Sequence, residues 1–172
     1  MPELPTEIWK ERIKNELNIL TEMGVVDERS IIWENNGVEL WIKIDAMGFI
    51  KQYEDSKLII SPKKRHKIFI KINRSFPYPG GIDFLWYSNI FHPNIHPVEL
   101  YETNSNGTGY ICLNVLRKWS KLTDLETTIK ALIKLVENPN PEDPLQYDLC
   151  TEAAEYFTNN PIDKVLKKHK NL

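Results

Sequence analysis

Residues 92–119 read HPNIHPVELYETNSNGTGYICLNVLRKW, and the fold turns on how this stretch divides. A His-Pro-Asn turn opens it, and a cysteine between two aliphatics, Ile111 and Leu113, lies near its end. A polar loop separates the two. Pro93 and Pro97 bar the helix that would place His92 and His96 on one face. Cys112 follows Gly107-Thr108-Gly109-Tyr110, a flexible polar segment, so it falls at an irregular join and not inside a helix or regular strand. Two readings of Cys112 stay open from residue type. A free cysteine is commonly a buried structural thiol, whereas a nucleophilic one needs exposure so that the thiolate reaches its electrophile.

Upstream of this stretch the period is that of strands. Ile31-Ile32-Trp33 and residues 38–44, 58–61, 68–72 and 82–86 are short runs rich in Ile, Val, Phe and Trp. Lys67-Ile68-Phe69-Ile70-Lys71-Ile72 alternates as a sheet with one wet face does. Asn35-Asn36-Gly37 predicts a tight turn, and Asp55-Ser56 and Pro62-Lys63-Lys64 punctuate the following joins. Lys63, Lys64, Arg65 and Lys67 read as a solvated strand edge. Phe76-Pro77-Tyr78-Pro79-Gly80-Gly81 is a rigid, turn-rich join. With no helical crossover between the runs, the sheet is expected to be an antiparallel meander of four or five strands.

Helical periodicity flanks the sheet on both sides. Residues 6–23 carry Ile8, Trp9, Ile13, Leu17 and Leu20 at three- and four-residue steps, with Thr6 as the expected cap and Gly24 as the stop. The polar face of this helix offers Lys10, Arg12 and Lys14 for docking a partner. After Trp119, Thr123 or Asp124 caps a helix with Leu125, Ile129, Leu132, Ile133 and Val136 on its apolar face. Asn138-Pro139-Asn140-Pro141 ends it. Pro144 is expected to open a second helix with Leu145, Leu149, Ala153, Tyr156 and Phe157, and Asn159-Asn160-Pro161 to separate it from a third. The order is N-terminal helix, meander, irregular segment and three C-terminal helices. That is an α+β fold in one domain, residues 1–172.

Composition narrows the function. A chain of 172 residues, 41% hydrophobic, supports one substantial core. Its net charge of -2, from 22 basic and 24 acidic residues, argues against nucleic-acid binding by bulk charge. No apolar run is long enough for a bilayer, and the first residues lack a signal-peptide core, so no membrane partner is expected. Two cysteines make no disulfide framework. A reducing cytoplasmic setting follows, where a reactive thiol survives. His92, His96 and Cys112 are short of the four ligands a structural zinc wants, and no second cysteine is near, so no metal is expected. His66, His92, His96 and His169 are candidate bases for a thiol hydrolase, but none carries a local protease signature.

HPNI before the cysteine, ICLNVLRKW around it, NPNPEDPL after the next helix and the FPYPGG-IDFLW join together resemble the ubiquitin-conjugating (E2) enzymes. The resemblance runs from Thr6 to about Leu166. The CLN and NPEDPL wording and Glu152-Ala153-Ala154-Glu155 are closest to the branch that carries the ubiquitin-like modifier NEDD8. The resemblance implies the UBC fold, with a four-stranded antiparallel meander, and an enzyme that takes ubiquitin or a ubiquitin-like modifier from an activating (E1) enzyme. Cys112 would hold the modifier's C-terminal glycine as a thioester and pass it to a substrate lysine. Asn94 would donate to the developing oxyanion or brace the loop over the cysteine. Asp143 would stand at an acidic gate, and His92 and Pro93 would fix the turn structurally. No cofactor is implied, since ATP is used by the E1.

The sequence departs from the family pattern in several places. The active-site loop, about residues 96–110, is enlarged, which makes Glu99, Tyr101 and Glu102, with Asn114 beyond the cysteine, candidate substrate contacts. Gly80, next to Pro79, stands where many members place a large apolar side chain for docking E3 ligases. Lys121-Leu122 replaces the usual Pro-Ala of the second docking loop. The alternative is a non-catalytic E2-like module that binds a modifier without passing it on. Retention of Cys112, Asn94 and Asp143 together opposes it.

Overall fold

The apolar stripe of the N-terminal segment winds into α1 (Thr6–Glu22), burying Trp9, Ile13, Leu17 and Leu20. This is seen in a computed structural model that describes residues 2–100 and 106–169. Pro5 and not Thr6 is the cap residue, and no side chain caps this end. The Pro5 carbonyl already accepts the Trp9 amide at 2.9 Å, so Thr6 lies inside the first turn. Gly24 ends the helix at φ +75°, a conformation that costs a side-chain-bearing residue energy.

Four strands follow, β1 (Ile32–Glu34), β2 (Gly37–Glu54), β3 (Lys57–Asn73) and β4 (Ile82–Trp86), paired antiparallel in the order β1-β2-β3-β4. The meander has the expected four strands, but they are longer than the separate apolar runs suggested. Residues 58–61 and 68–72 belong to the single strand β3, and β2 continues well past Ile44. Pro62-Lys63-Lys64 is no join. Pro62 pairs with Phe49 where β3 has lost β4 as a neighbour, an edge position that tolerates a missing N–H. Asp55 and Ser56 form the true turn, both at positive φ. Val38, Leu40, Ile42 and Ile44 face the core alongside Ile68, Ile70 and Ile72.

Beyond the sheet, β5 (Ile95–His96) and β6 (Tyr110–Ile111) make a small antiparallel ladder at the base of the loop between them. Short α2 (Leu113–Leu116) starts directly after Cys112, a helical turn the sequence did not announce. Three helices complete the chain, α3 (Leu125–Glu137), α4 (Asp148–Asn159) and α5 (Ile162–Lys168). Asp124 caps α3 by accepting the Thr127 amide at 2.7 Å. The sheet's inner face packs on α1 and α3, and a second apolar cluster gathers Phe49, Phe91, Phe157 and Val165 beside α4 and α5. No described helix is long and apolar enough to cross a membrane.

α4 begins at Asp148, not at Pro144. The Asp143 carbonyl, which would accept the first bond of a helix opened by Pro144, accepts from the Asn94 side chain instead, and the Leu145 amide donates to the Pro93 carbonyl. Further back, the loop returns through Gly109 at φ +77°, with its carbonyl on the Trp86 amide at 2.8 Å. A Cβ there would run into the Leu85 side chain. Gly109→Ala is therefore expected to lower stability by about 2 kcal/mol, read from the midpoint of denaturant unfolding. An unchanged midpoint would show that Leu85 and the turn simply yield.

Candidate active site

Two backbone segments meet at Cys112. The His-Pro-Asn turn lies beneath it, since the Cys112 amide donates to the Asn94 carbonyl at 2.9 Å. Residues 140–147 lie alongside, held by the same turn. Cys112 is 9% exposed and is flanked by Tyr110 and Leu113, which are 57% and 40% exposed. The thiol is thus recessed at a rim of open side chains, less exposed than a free nucleophile was expected to be.

The Asn94 side chain is fully buried and fully engaged. Its Nδ2 donates to the Asn140 carbonyl at 3.1 Å and the Asp143 carbonyl at 2.9 Å. Its Oδ1 accepts the Asn140 amide at 2.8 Å. Pro93 adds a fourth tie, its carbonyl accepting the Leu145 amide at 2.9 Å. The geometry is that of a brace, with both amide protons already committed to backbone carbonyls. Asp143 itself is exposed on the braced segment.

His92 fixes the turn from inside. Its Nδ1 accepts the Asn94 amide at 3.0 Å and its Nε2 sits 2.7 Å from the Leu135 carbonyl, so the neutral ring carries its proton on Nε2. Both nitrogens are occupied by the backbone. Burial pushes this imidazole down to about 4, opposed by the Leu135 bond and reinforced by His66 nearby. Burial also lowers His66. Above pH 6.5 the His92 ring is neutral whether folded or not. Below it the unfolded chain takes up a proton that the folded one refuses, so stability falls as pH falls, down to about pH 4. His92 alone is expected to cost about 3 kcal/mol over that window, measured as unfolding free energy against pH. A flat profile between pH 6.5 and 4 would contradict the burial of a neutral ring.

The docking candidates separate into two groups. Pro79, Gly80, Lys121 and Leu122 line one groove of about 740 Å³ together with Tyr110 and Leu113, the residues flanking the thiol. Lys10 and Lys14 are exposed on α1. Arg12 is tied internally, paired with Glu16 at 3.0 Å and bonded to the Thr123 carbonyl at 3.5 Å, while Glu16 accepts the Leu125 amide. Glu99 is exposed, with its amide on the Tyr87 carbonyl at 2.9 Å, and Asn114 is exposed in the first turn of α2. Tyr101 and Glu102 lie outside the described residues.

Sequence reasoning missed the aromatic wall beside the cysteine. His96 and Tyr147 stack with centroids 4.1 Å apart and planes at 8°, and Tyr110 tilts against Tyr147 at 6.3 Å. The available signal was a His and a Tyr two residues inside Asn94 and Cys112 respectively, but their register crosses the loop and is not written in local sequence.

Comparisons with known proteins agree with this architecture. Residues 62–167 match the sequence model of the family described as "Ubiquitin-conjugating enzyme". A "Probable ubiquitin-conjugating enzyme E2 31" of Arabidopsis thaliana is 33% identical over 94 residues, which cover 49% of this chain and 56% of the relative. "Ubiquitin-conjugating enzyme E2 T" of Xenopus laevis is 31% identical over 111 residues, 54% of this chain and 55% of the relative. "NEDD8-conjugating enzyme UBC12" of Saccharomyces cerevisiae is 30% identical over 110 residues, 56% and 55%. The chain spans about half the length of the curated relatives it matches.

Proposed function

Because the chain belongs to the ubiquitin-conjugating enzyme family, we propose that it accepts ubiquitin or a ubiquitin-like modifier on Cys112 and transfers it to a substrate lysine. The E1 thioester is attacked by the Cys112 thiolate, its C–S bond breaks, and the E1 thiol leaves. The lysine amine then attacks the new thioester, an amide forms, and Cys112 is released. Splitting acyl transfer in this way replaces one hard step by two easier ones.

One residue carries the reading. Asn94 holds the Cys112 amide by its carbonyl and the Asp143 segment by its side chain, so nucleophile and acid share a single rigid support. A lysine with an ordinary pKa near 10.4 is almost wholly protonated at pH 7 and must lose a proton to attack. The Asp143 carboxylate, exposed on the braced segment, would orient the ammonium as it sheds that proton to solvent. A recessed thiol rim favours the neutral amine by limiting hydration. The modifier class stays open between ubiquitin and NEDD8, since relatives of both descriptions match. The groove through Gly80, Lys121 and Leu122 would receive a ligase that does not rely on a large apolar contact at 80.

The test is a charging assay with a panel of E1–modifier pairs and ATP. A reductant-sensitive adduct is expected and names the modifier. No adduct across the panel, with modifier binding retained in titration, would make the chain a binding module and not an enzyme.

A further inference from the structure

The enlarged loop is anchored by a side chain that also touches the gate. His96 sits in β5 opposite Tyr110 in β6, the strand that leads into Cys112. Its Nδ1 accepts the Thr108 amide at 3.1 Å and lies 2.8 Å from the Thr108 Oγ1, while that hydroxyl accepts the Tyr110 amide at 3.2 Å. The face of the ring lies flat on Tyr147. Tyr147 is four residues beyond Asp143, caps α4, and bonds by its amide to the Leu145 carbonyl at 2.9 Å. Leu145 in turn hangs on Pro93.

These contacts make one chain of rigid parts. The loop's returning arm grips the edge of the ring and the gate segment covers its face, so neither can shift without disturbing the other. We propose that His96 is a positioning residue that couples the enlarged loop to the gate segment, and thereby sets the rate of acceptor attack on the Cys112 thioester. The proposal rests on the Cys112 reading above for its catalytic part, and on the His96 contacts alone for the coupling. Burial holds the His96 imidazole below its usual range, so at neutral pH Nδ1 has a lone pair for Thr108. An aromatic pair of this kind contributes through geometry as well as area, and a shift of about 1 Å at a reacting group is enough to slow attack strongly.

Three substitutions separate the two contacts. His96→Phe keeps the stack and loses the acceptor, His96→Asn keeps an acceptor and loses the stack, and His96→Ala removes both. E1 charging is expected at the wild-type rate in all three. Discharge to free lysine is expected to fall about tenfold in maximal rate in His96→Ala, with little change in the half-saturating lysine concentration, and less in the other two. On the uncharged proteins, hydrogen exchange of the 141–148 amides is expected to quicken about tenfold in His96→Ala. Unchanged exchange there overturns the coupling, whatever the chemistry does. Quickened exchange with wild-type discharge, or with charging and discharge slowed alike, overturns the catalytic role. Failure of the wild-type chain to charge removes the Cys112 reading and the catalytic role with it, and exchange still judges the coupling.

Discussion

Cys112→Ser, incubated with its E1, modifier and ATP, is expected to give an adduct that survives reductant, and Cys150→Ser the same reductant-sensitive adduct as the unaltered chain. A serine in place of the thiol forms an oxygen ester, which reductant does not cleave and lysine attacks far more slowly. Cys112→Ala is expected to give no adduct, a loss of signal to background. The contrast with Cys150 follows from its surroundings. That thiol is fully buried on α4, donates to the Ile95 carbonyl at 3.3 Å, and is pushed up to about 12 by desolvation. At pH 7 only about one in a hundred thousand such thiols is ionised, too few to serve as nucleophile. A reductant-sensitive adduct persisting in Cys112→Ala, or disappearing in Cys150→Ser while the fold is intact, would transfer the chemistry to the wrong helix and end the reading.

Asn94→Ala is expected to lower stability by about 2–4 kcal/mol and to slow lysine discharge about a hundredfold, with charging preserved. The substitution leaves three groups without their partner, the amide and carbonyl of Asn140 and the carbonyl of Asp143. Asn94→Asp is the sharper probe, being nearly isosteric. It turns two donations into two repulsive contacts between oxygens, so it should destabilise at least as much as alanine. Denaturant unfolding and single-turnover discharge on the same preparations decide between the two roles open to this amide. Stability and discharge falling together support the brace. Discharge lost from a fully stable Asn94→Ala protein would mean that the amide leaves its carbonyls to serve the oxyanion.

What the sequence revealed and what it hid divide along physical lines. Alternation at residues 38–44 and 67–72 was readable because one face of the sheet is buried and the other is wet, so each side chain reports its own environment. The continuity of β3 through Pro62 was not readable. Whether a proline breaks a strand depends on the neighbour across the missing N–H, and here β4 has already ended. The start of α4 was misjudged for a related reason. Residues 144–147 have helical neighbours, but the Asp143 carbonyl just before them is claimed by Asn94 and the Leu145 amide by Pro93, each from about fifty positions away, a tertiary demand that local propensity does not register. At the site, the residue types at 92–94, 112 and 143 were legible as motifs. The saturation of the Asn94 amide and the stacking of His96 on Tyr147 were not, because both join segments far apart in the chain.

The ladder of Ile95–His96 with Tyr110–Ile111, reinforced where the Gly107 amide meets the Val98 carbonyl at 2.8 Å, has a consequence for evolvability. It clamps both ends of the intervening loop before the chain reaches Cys112. Lengthening a loop whose ends are already pinned is cheap, about 0.6 kcal/mol for each doubling. The stretch between Leu100 and Asn106 is therefore a natural graft point, where lineages, or an engineer, can splice in new recognition sequence while the cysteine keeps its address.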